Sequence, residues 1–480
     1  MAIRFGTDGW RAEIDKDFSY ENLRLLAHAL GHIYTAQLEK EAKSPSQHAI
    51  LIAYDTRKDA KHYAHYLASI LSSYQLKIEL SDKVCPTPTL CWNLAHRDEL
   101  FAGIIFTASH NPAHYLGVKL RMQDGGASPK DFTDKIESLL KKLDPAELEA
   151  RDAQQDEALI AVVDCMSAYL EALKAGVDAR LLSQSKLKLV HDPLYGASQS
   201  YVAPLLREMG LEIEEIHSEQ RCDFAGLHPE PIDPWIEECR QAVLASGAVA
   251  GLINDGDADR VGAIDEEGSF VSPHKILALV IEHLLRKGKT GRVVSTVSAS
   301  SLLERLCEER GLELCITPVG FKWIYEQMLK GDVLVGGEES GGIGIPAHVM
   351  ERDGLYMDLL LCEMMALNDK SLKDLVDDLE LRYGRWYYKR LDLSLEEKLV
   401  ANFRAHKDEF EIEELDGLKI IELDKRDGLY LRFEEGAWLL LRASGTEPLL
   451  RVYAEASSLE MQERLLRAAQ QHILPHFESI

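Results

Sequence analysis

A chain of 480 residues is too long for one hydrophobic core and predicts three or four domains. Apolar residues make up 46% and charged residues 28%, the balance of an ordinary globular protein, and no apolar run is long enough to span a bilayer. The formal net charge of −26 disfavours nucleic acid and anionic membranes as partners, and any phosphate site has to be built locally from Arg, Lys, metal or backbone N–H groups.

The first residues lack the apolar core of a signal peptide. Eight Cys are scattered without a CxxC pair, which predicts reduced, buried thiols in a cytoplasmic protein and neither a disulfide framework nor a zinc site. Residues 1–12 form a turn-rich segment around Phe5-Gly6-Thr7-Asp8-Gly9-Trp10-Arg11. Apolar spacing predicts helices over 21–42, 63–74 and 88–96. Strands are predicted over 49–54, 77–80, 101–106 and 118–122. A helix over 128–143 follows, with Ser128 as N-cap and Pro129 at its first position. The polar, acidic stretch 145–160 reads as a domain boundary.

The alternation then restarts with helices over 161–175, 197–209 and 234–246 and strands over 187–191, 211–216 and 249–254, ending in a hairpin over 261–271. A third round has helices over 273–287, 299–310 and 321–329, strands over 292–297, 312–318 and 332–335, and closing helices over 354–367 and 371–381. After Gly384 the pattern changes to strands over 385–393, 418–423, 428–433, 437–442 and 449–454 with helices over 394–409 and 458–473. The expected fold is three related α/β domains with mixed, mainly parallel sheets plus a smaller C-terminal α+β domain with an antiparallel sheet. The boundaries fall at 1–150, 151–262, 263–383 and 384–480.

Four apolar runs end in loops dense with chemistry. Phe101–Phe106 runs into Thr107-Ala108-Ser109-His110-Asn111-Pro112, with Lys119 close behind. A lone Ser in such a loop is most often a turn or cap residue, but a buried strand feeding a polar loop is also where α/β proteins bind ligands. Gly251–Asn254 runs into Asp255-Gly256-Asp257-Ala258-Asp259-Arg260. Three alternating carboxylates suit a hard cation such as Mg²⁺, Mn²⁺ or Ca²⁺. An EF-hand is the rival, but its sixth position would be Arg260 where that turn needs Gly. Val333–Val335 runs into Gly336-Gly337-Glu338-Glu339-Ser340-Gly341-Gly342, whose carboxylates suit vicinal hydroxyls such as those of a sugar. Trp438–Leu441 runs into Arg442-Ala443-Ser444-Gly445-Thr446, a cationic loop able to wrap an anion, with Arg451 nearby.

Together the four motifs, in this order and across the whole chain, resemble the α-D-phosphohexomutase family of phosphoglucomutases and phosphomannomutases. The resemblance implies four domains around one central cleft, and a phosphoryl group carried on Ser109. It implies Mg²⁺ held by Asp255, Asp257 and Asp259 with Ser109 as a further ligand, and Arg11, His110, Lys119 and Arg260 around the transferring phosphate or serving proton transfer. By the same resemblance Gly320, Glu338, Ser340 and Arg352 face the sugar, and Arg442, Ser444, Gly445, Thr446 and Arg451 hold its other phosphate. The implied reaction interconverts hexose 1-phosphate and hexose 6-phosphate through glucose 1,6-bisphosphate or its analogue. The implied partners are small hexose phosphates, with the oligomeric state, monomer or dimer, left open by the sequence. Gly-Glu-Glu-Ser and Glu351-Arg352-Asp353-Gly354 resemble glucose-type members, although Arg replaces their Lys and Val319-Gly320-Phe321 departs from their Thr-Gly.

Overall fold

The computed structural model of the chain describes residues 3–6, 8–444 and 449–478. Four sheets are built in chain order. The first has six strands in the order Trp10–Glu13, Tyr115–Met122, Leu100–Phe106, Ala49–Tyr54, Lys77–Ser81 and Ile160–Val163. Its last four are mutually parallel and its first two antiparallel. The second sheet runs Phe270–Val271, Val261–Asp265, Ala250–Asn254, Lys188–Asp192 and Glu212–Glu215, and the third runs Leu314–Thr317, Arg292–Thr296, Val333–Gly337 and Ile343–Gly344. Both again join parallel strands to an antiparallel edge. The fourth sheet is antiparallel throughout and starts with Tyr387–Ser394. The architecture is therefore four-domain α/β, with mixed sheets in the first three domains and an antiparallel sheet with helices in the last.

One device recurs in the three mixed sheets. A fully or largely buried parallel strand turns back into an antiparallel neighbour, and the turn is the polar loop: Leu100–Phe106 into Tyr115–Met122, Ala250–Asn254 into Val261–Asp265, and Val333–Gly337 into Ile343–Gly344. The repeat is one of topology. Helices cover both faces of the parallel strands, so these strands are apolar on both sides. Leu23, Leu26 and Leu30 of helix Tyr20–Lys40 and Leu67 and Leu71 of helix Ala60–Ser72 are fully buried in the same core as Ile50, Ile52 and Ile104 of the sheet. Gly103 lets helix Thr87–His96 lie close on the strand, because a Cβ there would meet Leu94 Cδ1 at 2.4 Å. That approach fixes Thr87, whose hydroxyl donates to Asp257.

Several local expectations are corrected. Residues 10–13 form an edge strand pairing with Tyr115–Met122, beyond what a turn-rich segment allows for. The stretch 145–160 contains helix Pro145–Asp152, capped by the Asp144 side chain on Ala146 N. The helix predicted over 161–175 starts at Met166, because Ile160–Val163 is instead an edge strand extending the first sheet. Ser128 does not cap its helix: Pro129 is the N-cap residue, and the Ser128 hydroxyl lies near Met122 Sδ. Helix Ala179–Ser185 lies outside every predicted element. The cysteines are free thiols, of which Cys222 is exposed and Cys315 half-buried. Among the described residues no helix is long and apolar enough to cross a membrane.

The third and fourth domains are joined through Glu455, 1% exposed, whose Oε1 accepts from Ser301 N at 2.8 Å and from Trp438 Nε1 at 3.2 Å. Burial pushes this carboxyl up to about 7, outweighing donation from Ser300, Ser301 and Trp438. The folded chain then binds a proton at Glu455 that the unfolded chain has released, so stability falls as pH rises from about 4.5 to about 7. Glu455→Gln keeps an acceptor in place, and its melting temperature is expected to match wild type near pH 5 and exceed it above pH 7. The expected gap is up to roughly 3 kcal/mol, and equal curves across that range contradict the assignment.

Candidate active site

Ser109 sits in the turn after strand Leu100–Phe106, 1% exposed, at φ 50°, a left-handed conformation that a non-glycine residue holds only when its surroundings dictate it. Its N–H donates to Thr107 Oγ1 at 2.8 Å. Its hydroxyl donates to Asp255 Oδ2 at 2.8 Å and lies 3.4 Å from His110 Nδ1. Burial holds the His110 imidazolium well below its usual pKa, and Arg260, Arg11, His228 and Arg451 add to the effect, so the ring is neutral at pH 7. Arg11, on the edge strand, donates to Asn111 Oδ1 at 2.8 Å across the same loop. Gly117 permits this crossing, since a Cβ there would meet Trp10 O at 2.4 Å.

Asp255, Asp257 and Asp259 are fully buried in the turn after Ala250–Asn254, with one carboxylate oxygen from each within 4.8 Å of the others. Two antiparallel strands flank the turn, which excludes the helix–loop–helix of an EF-hand. Lys119, opposite Ile105 in the first sheet, donates to Asp257 Oδ2 at 2.7 Å and Asp259 Oδ2 at 2.8 Å. Burial alone would lower its pKa, but Asp257, Asp259 and Asp8 outweigh that and hold the ammonium charged. Burial, with Asp259 and Asp257 beside it, drives Asp255 well above the usual carboxylate range. Asp257 Oδ1 and Asp259 Oδ1 are buried without a hydrogen-bond partner. Orphaned carboxylate oxygens beside an over-acidic cluster are the donor set of a hard divalent cation, so these residues fit a metal.

Arg260 is 8% exposed. Its Nε lies 3.9 Å from both Asp255 and Asp259, and its Nη1 lies 3.6 Å from Glu230. Glu230 also draws Arg390 of the fourth domain to 3.4 Å. The Gly-rich loop abuts the Asp loop directly: Val261 N donates to Gly341 O at 3.0 Å, and a Cβ on Gly341 would meet Val261 O at 2.4 Å. Glu338 Oε1 accepts from Gly320 N at 3.0 Å, and Gly320 has φ 125°. Burial pushes Glu338 up to about 7 against the pull of Arg352. Glu339 is turned into its own domain, accepting from Ser298 Oγ at 2.7 Å. Ser340 is half-buried beside them.

Arg352 binds protein carboxylates in the free chain. Its Nη2 lies 2.7 Å from Asp8 and 2.8 Å from Asp259, its Nε 3.0 Å from Glu351, and its Nη1 3.9 Å from Glu338. Its stem passes over Gly342, where a Cβ would meet Arg352 Cδ at 2.3 Å. It thereby links the metal-type loop to the sugar-type loop.

In the fourth domain Arg442 and Arg451 are cross-strand partners. Like charges directly opposite are unfavourable unless an anion or acid compensates. Asp427 Oδ2 accepts from Arg442 Nε at 2.9 Å and from Val319 N at 2.7 Å, and Asp392 lies 3.8 Å from Arg451. Ser444 is 3% exposed, and its carbonyl accepts from Arg404. Gly445 and Thr446 lie outside the described residues.

Sequence reasoning missed Thr87 and Arg121, and gave Asp8 and Glu351, both inside quoted motifs, no role of their own. Asp8 accepts from Arg352 Nη2 at 2.7 Å and forms ion pairs with Lys119 and Arg121, each at 2.9 Å, and Arg121 reaches Glu351 at 2.9 Å. These residues knit the first and third domains behind the carboxylate cluster. Asp8 lies within the N-terminal segment already singled out, but its three partners are more than a hundred residues away.

A buried hydroxyl, three carboxylates and converging cations, delivered by loops of three mixed sheets, define a phosphoryl-transfer class of enzyme. The chain matches the four phosphoglucomutase/phosphomannomutase family descriptions in order: alpha/beta/alpha domain I over residues 2–147, domain II over 167–268, domain III over 272–383 and the C-terminal domain over 391–469. A phosphoglucomutase/phosphomannomutase of Thermococcus kodakarensis is 30% identical over 97% of both chains. A phosphoglucosamine mutase of Carboxydothermus hydrogenoformans is 30% identical over 97% of this chain and 98% of its own. A crystal structure of a phosphomannomutase candidate from Thermus thermophilus superposes with TM-score 0.85 at 34% identity, covering 98% of this chain and 99% of that one. The chain belongs to the α-D-phosphohexomutase family and is an intramolecular phosphotransferase of that type.

Proposed function

We propose that the protein is a Mg²⁺-dependent phosphohexomutase that interconverts glucose 1-phosphate and glucose 6-phosphate through a phosphorylated Ser109 and a 1,6-bisphosphate. The observation that carries this reading is the Ser109 hydroxyl, 2.8 Å from Asp255 within the buried Asp cluster. Asp255, Asp257 and Asp259 would hold Mg²⁺, which supplies charge neutralisation at the phosphate oxygens when bound. Phosphoryl transfer depends on positioning and charge stabilisation more than on new covalent chemistry. Phosphoserine gives its phosphoryl group to the free hydroxyl of the hexose: the Oγ–P bond breaks, the sugar O–P bond forms, the sugar hydroxyl proton passes to a base, and the released serine oxygen takes up a proton. Neutral His110, 3.4 Å from the serine oxygen, is suited to accept a proton, whereas charged Lys119 is suited to stabilise the transferring group. Arg11 and Arg260 would add positive charge there. Glu338 and Ser340, with the Gly320 turn, would take sugar hydroxyls, and Arg352 would leave part of its carboxylate set for the substrate. Arg442, Ser444, Gly445, Thr446 and Arg451 would grip the non-reacting phosphate. The bisphosphate then reorients and returns its other phosphoryl group to Ser109.

The lean to glucose rests on Gly-Glu-Glu-Ser and Glu351-Arg352-Asp353-Gly354, both of which resemble glucose-type members. Glucosamine phosphate is the second reading, since relatives named phosphoglucosamine mutase match the chain along nearly all of its length. Phosphorus NMR with glucose 1-phosphate, mannose 1-phosphate or glucosamine 1-phosphate, each with Mg²⁺ and a trace of the matching bisphosphate, ranks the three. Fastest appearance of the 6-phosphate from glucose is expected, and faster conversion of another sugar overturns the preference. The protein is expected to work in the cytoplasm.

A further inference from the structure

We propose that Arg57 is the positioning residue of the Ser109 loop, holding the serine oxygen in its transferring position through the loop's carbonyls. This rests on the reading of Ser109 as the phosphoryl carrier. Arg57 follows strand Ala49–Tyr54 and is 3% exposed. Its Nη1 donates to Pro112 O at 2.8 Å and to Tyr115 O at 2.9 Å, and its Nη2 donates to Ser109 O and Asn111 O, both at 2.6 Å. Its Nε lies 3.2 Å from Asp55 Oδ2, and Asp55 Oδ1 accepts from Arg57 N at 2.9 Å. The guanidinium also lies 4.9 Å from the centroid of the Phe224 ring in the second domain.

One planar fork therefore gathers four carbonyls of a single turn, which the point charge of a lysine has no geometry to do. The turn needs the grip. Ser109 is left-handed at φ 50°, and such a conformation persists only when over-determined. Its carbonyl is fixed from a second side as well, since a Cβ on Gly256 would meet Ser109 O at 2.4 Å. Arg57 and the Asp loop thus close on one carbonyl. The serine oxygen is thereby set relative to Asp255, and the buried Arg57 has both Nη groups committed to backbone carbonyls.

The consequence is a loss in turnover with substrate affinity retained. For full-length Arg57→Lys, with glucose 1-phosphate, Mg²⁺ and a trace of glucose 1,6-bisphosphate, kcat is expected to fall about a hundredfold. KM is expected to move less than about threefold. Amide hydrogen exchange of the 107–115 segment, measured without substrate, is expected to accelerate, while exchange in the flanking strands is unchanged. Wild-type kcat, a loss that falls on KM, or unchanged exchange overturns the proposal. If Arg57→Lys does not fold, Asp55→Asn decides: it removes the anion beside Nε and is expected to give a smaller loss in kcat at constant KM, with wild-type turnover as the contrary result. If wild type itself turns over no hexose phosphate, the functional reading fails, and the exchange comparison still tests the grip of Arg57 on the loop.

Discussion

Ser109→Ala is expected to lower mutase turnover by about 10⁴-fold or more, because it removes the only atom the account allows to carry the phosphoryl group. The fold is expected to survive. The hydroxyl makes one hydrogen bond of structural weight, to Asp255, and losing it costs about 1 kcal/mol. Initial rates under saturating glucose 1,6-bisphosphate, read beside melting curves, separate the two effects. A variant that keeps more than about a hundredth of wild-type turnover would move the chemistry off Ser109. Binding of hexose phosphate, measured by calorimetry, is expected to persist, since the cationic groups assigned to it lie on other loops.

Asp255→Asn carries the second large effect. In the metal-free chain Asp255 is pushed well above its usual range by burial and by Asp259 and Asp257, so neutralising it relieves the cluster. The variant without metal is expected to be at least as stable as wild type. The same change removes one of the three carboxylates proposed to hold Mg²⁺, so stabilisation by Mg²⁺ is expected to disappear. Wild type should gain about 2.7 kcal/mol at a hundredfold excess over Kd, and Asp255→Asn should gain little. Turnover is expected to fall about 10³-fold. Thermal melts with and without Mg²⁺ check the sign: a variant that melts below wild type without metal, or that still responds to Mg²⁺, contradicts the role of Asp255.

Much of this site was legible because it obeys one rule. An apolar run that ends abruptly in several polar residues marks a buried strand delivering a loop, and the loops after Phe106, Asn254 and Gly337 are each such a turn into an antiparallel partner. Arg57 carries the same signal, since Asp55-Thr56-Arg57 follows the fully buried run Ala49–Tyr54, but one Asp and one Arg read as an ordinary turn until the four carbonyls are seen to face them. Asp8, Arg121 and Glu351 were not legible, because their pairing depends on how the first and third domains meet. The direction of Glu339 was hidden for a different reason. Two adjacent glutamates in a Gly-rich loop are equivalent in sequence, and the hydroxyls of Ser298 and Thr296 turn one of them inward. Strand Ile160–Val163 was hidden by its neighbours: an edge strand with two exposed residues, set against a helix, blends into that helix's apolar spacing.

The most direct test of the account follows the phosphoryl group itself. Wild-type protein with Mg²⁺ is mixed briefly with glucose 1,6-bisphosphate labelled in both phosphates, then chased with unlabelled glucose 1-phosphate, and the label is located by peptide mapping and by analysis of the sugars. Label is expected on Ser109 before the chase and in hexose bisphosphate and hexose 6-phosphate after it, with no excess of free phosphate. Label on another residue, or label that passes from Ser109 to water faster than to sugar, would contradict it, the second outcome marking a phosphatase.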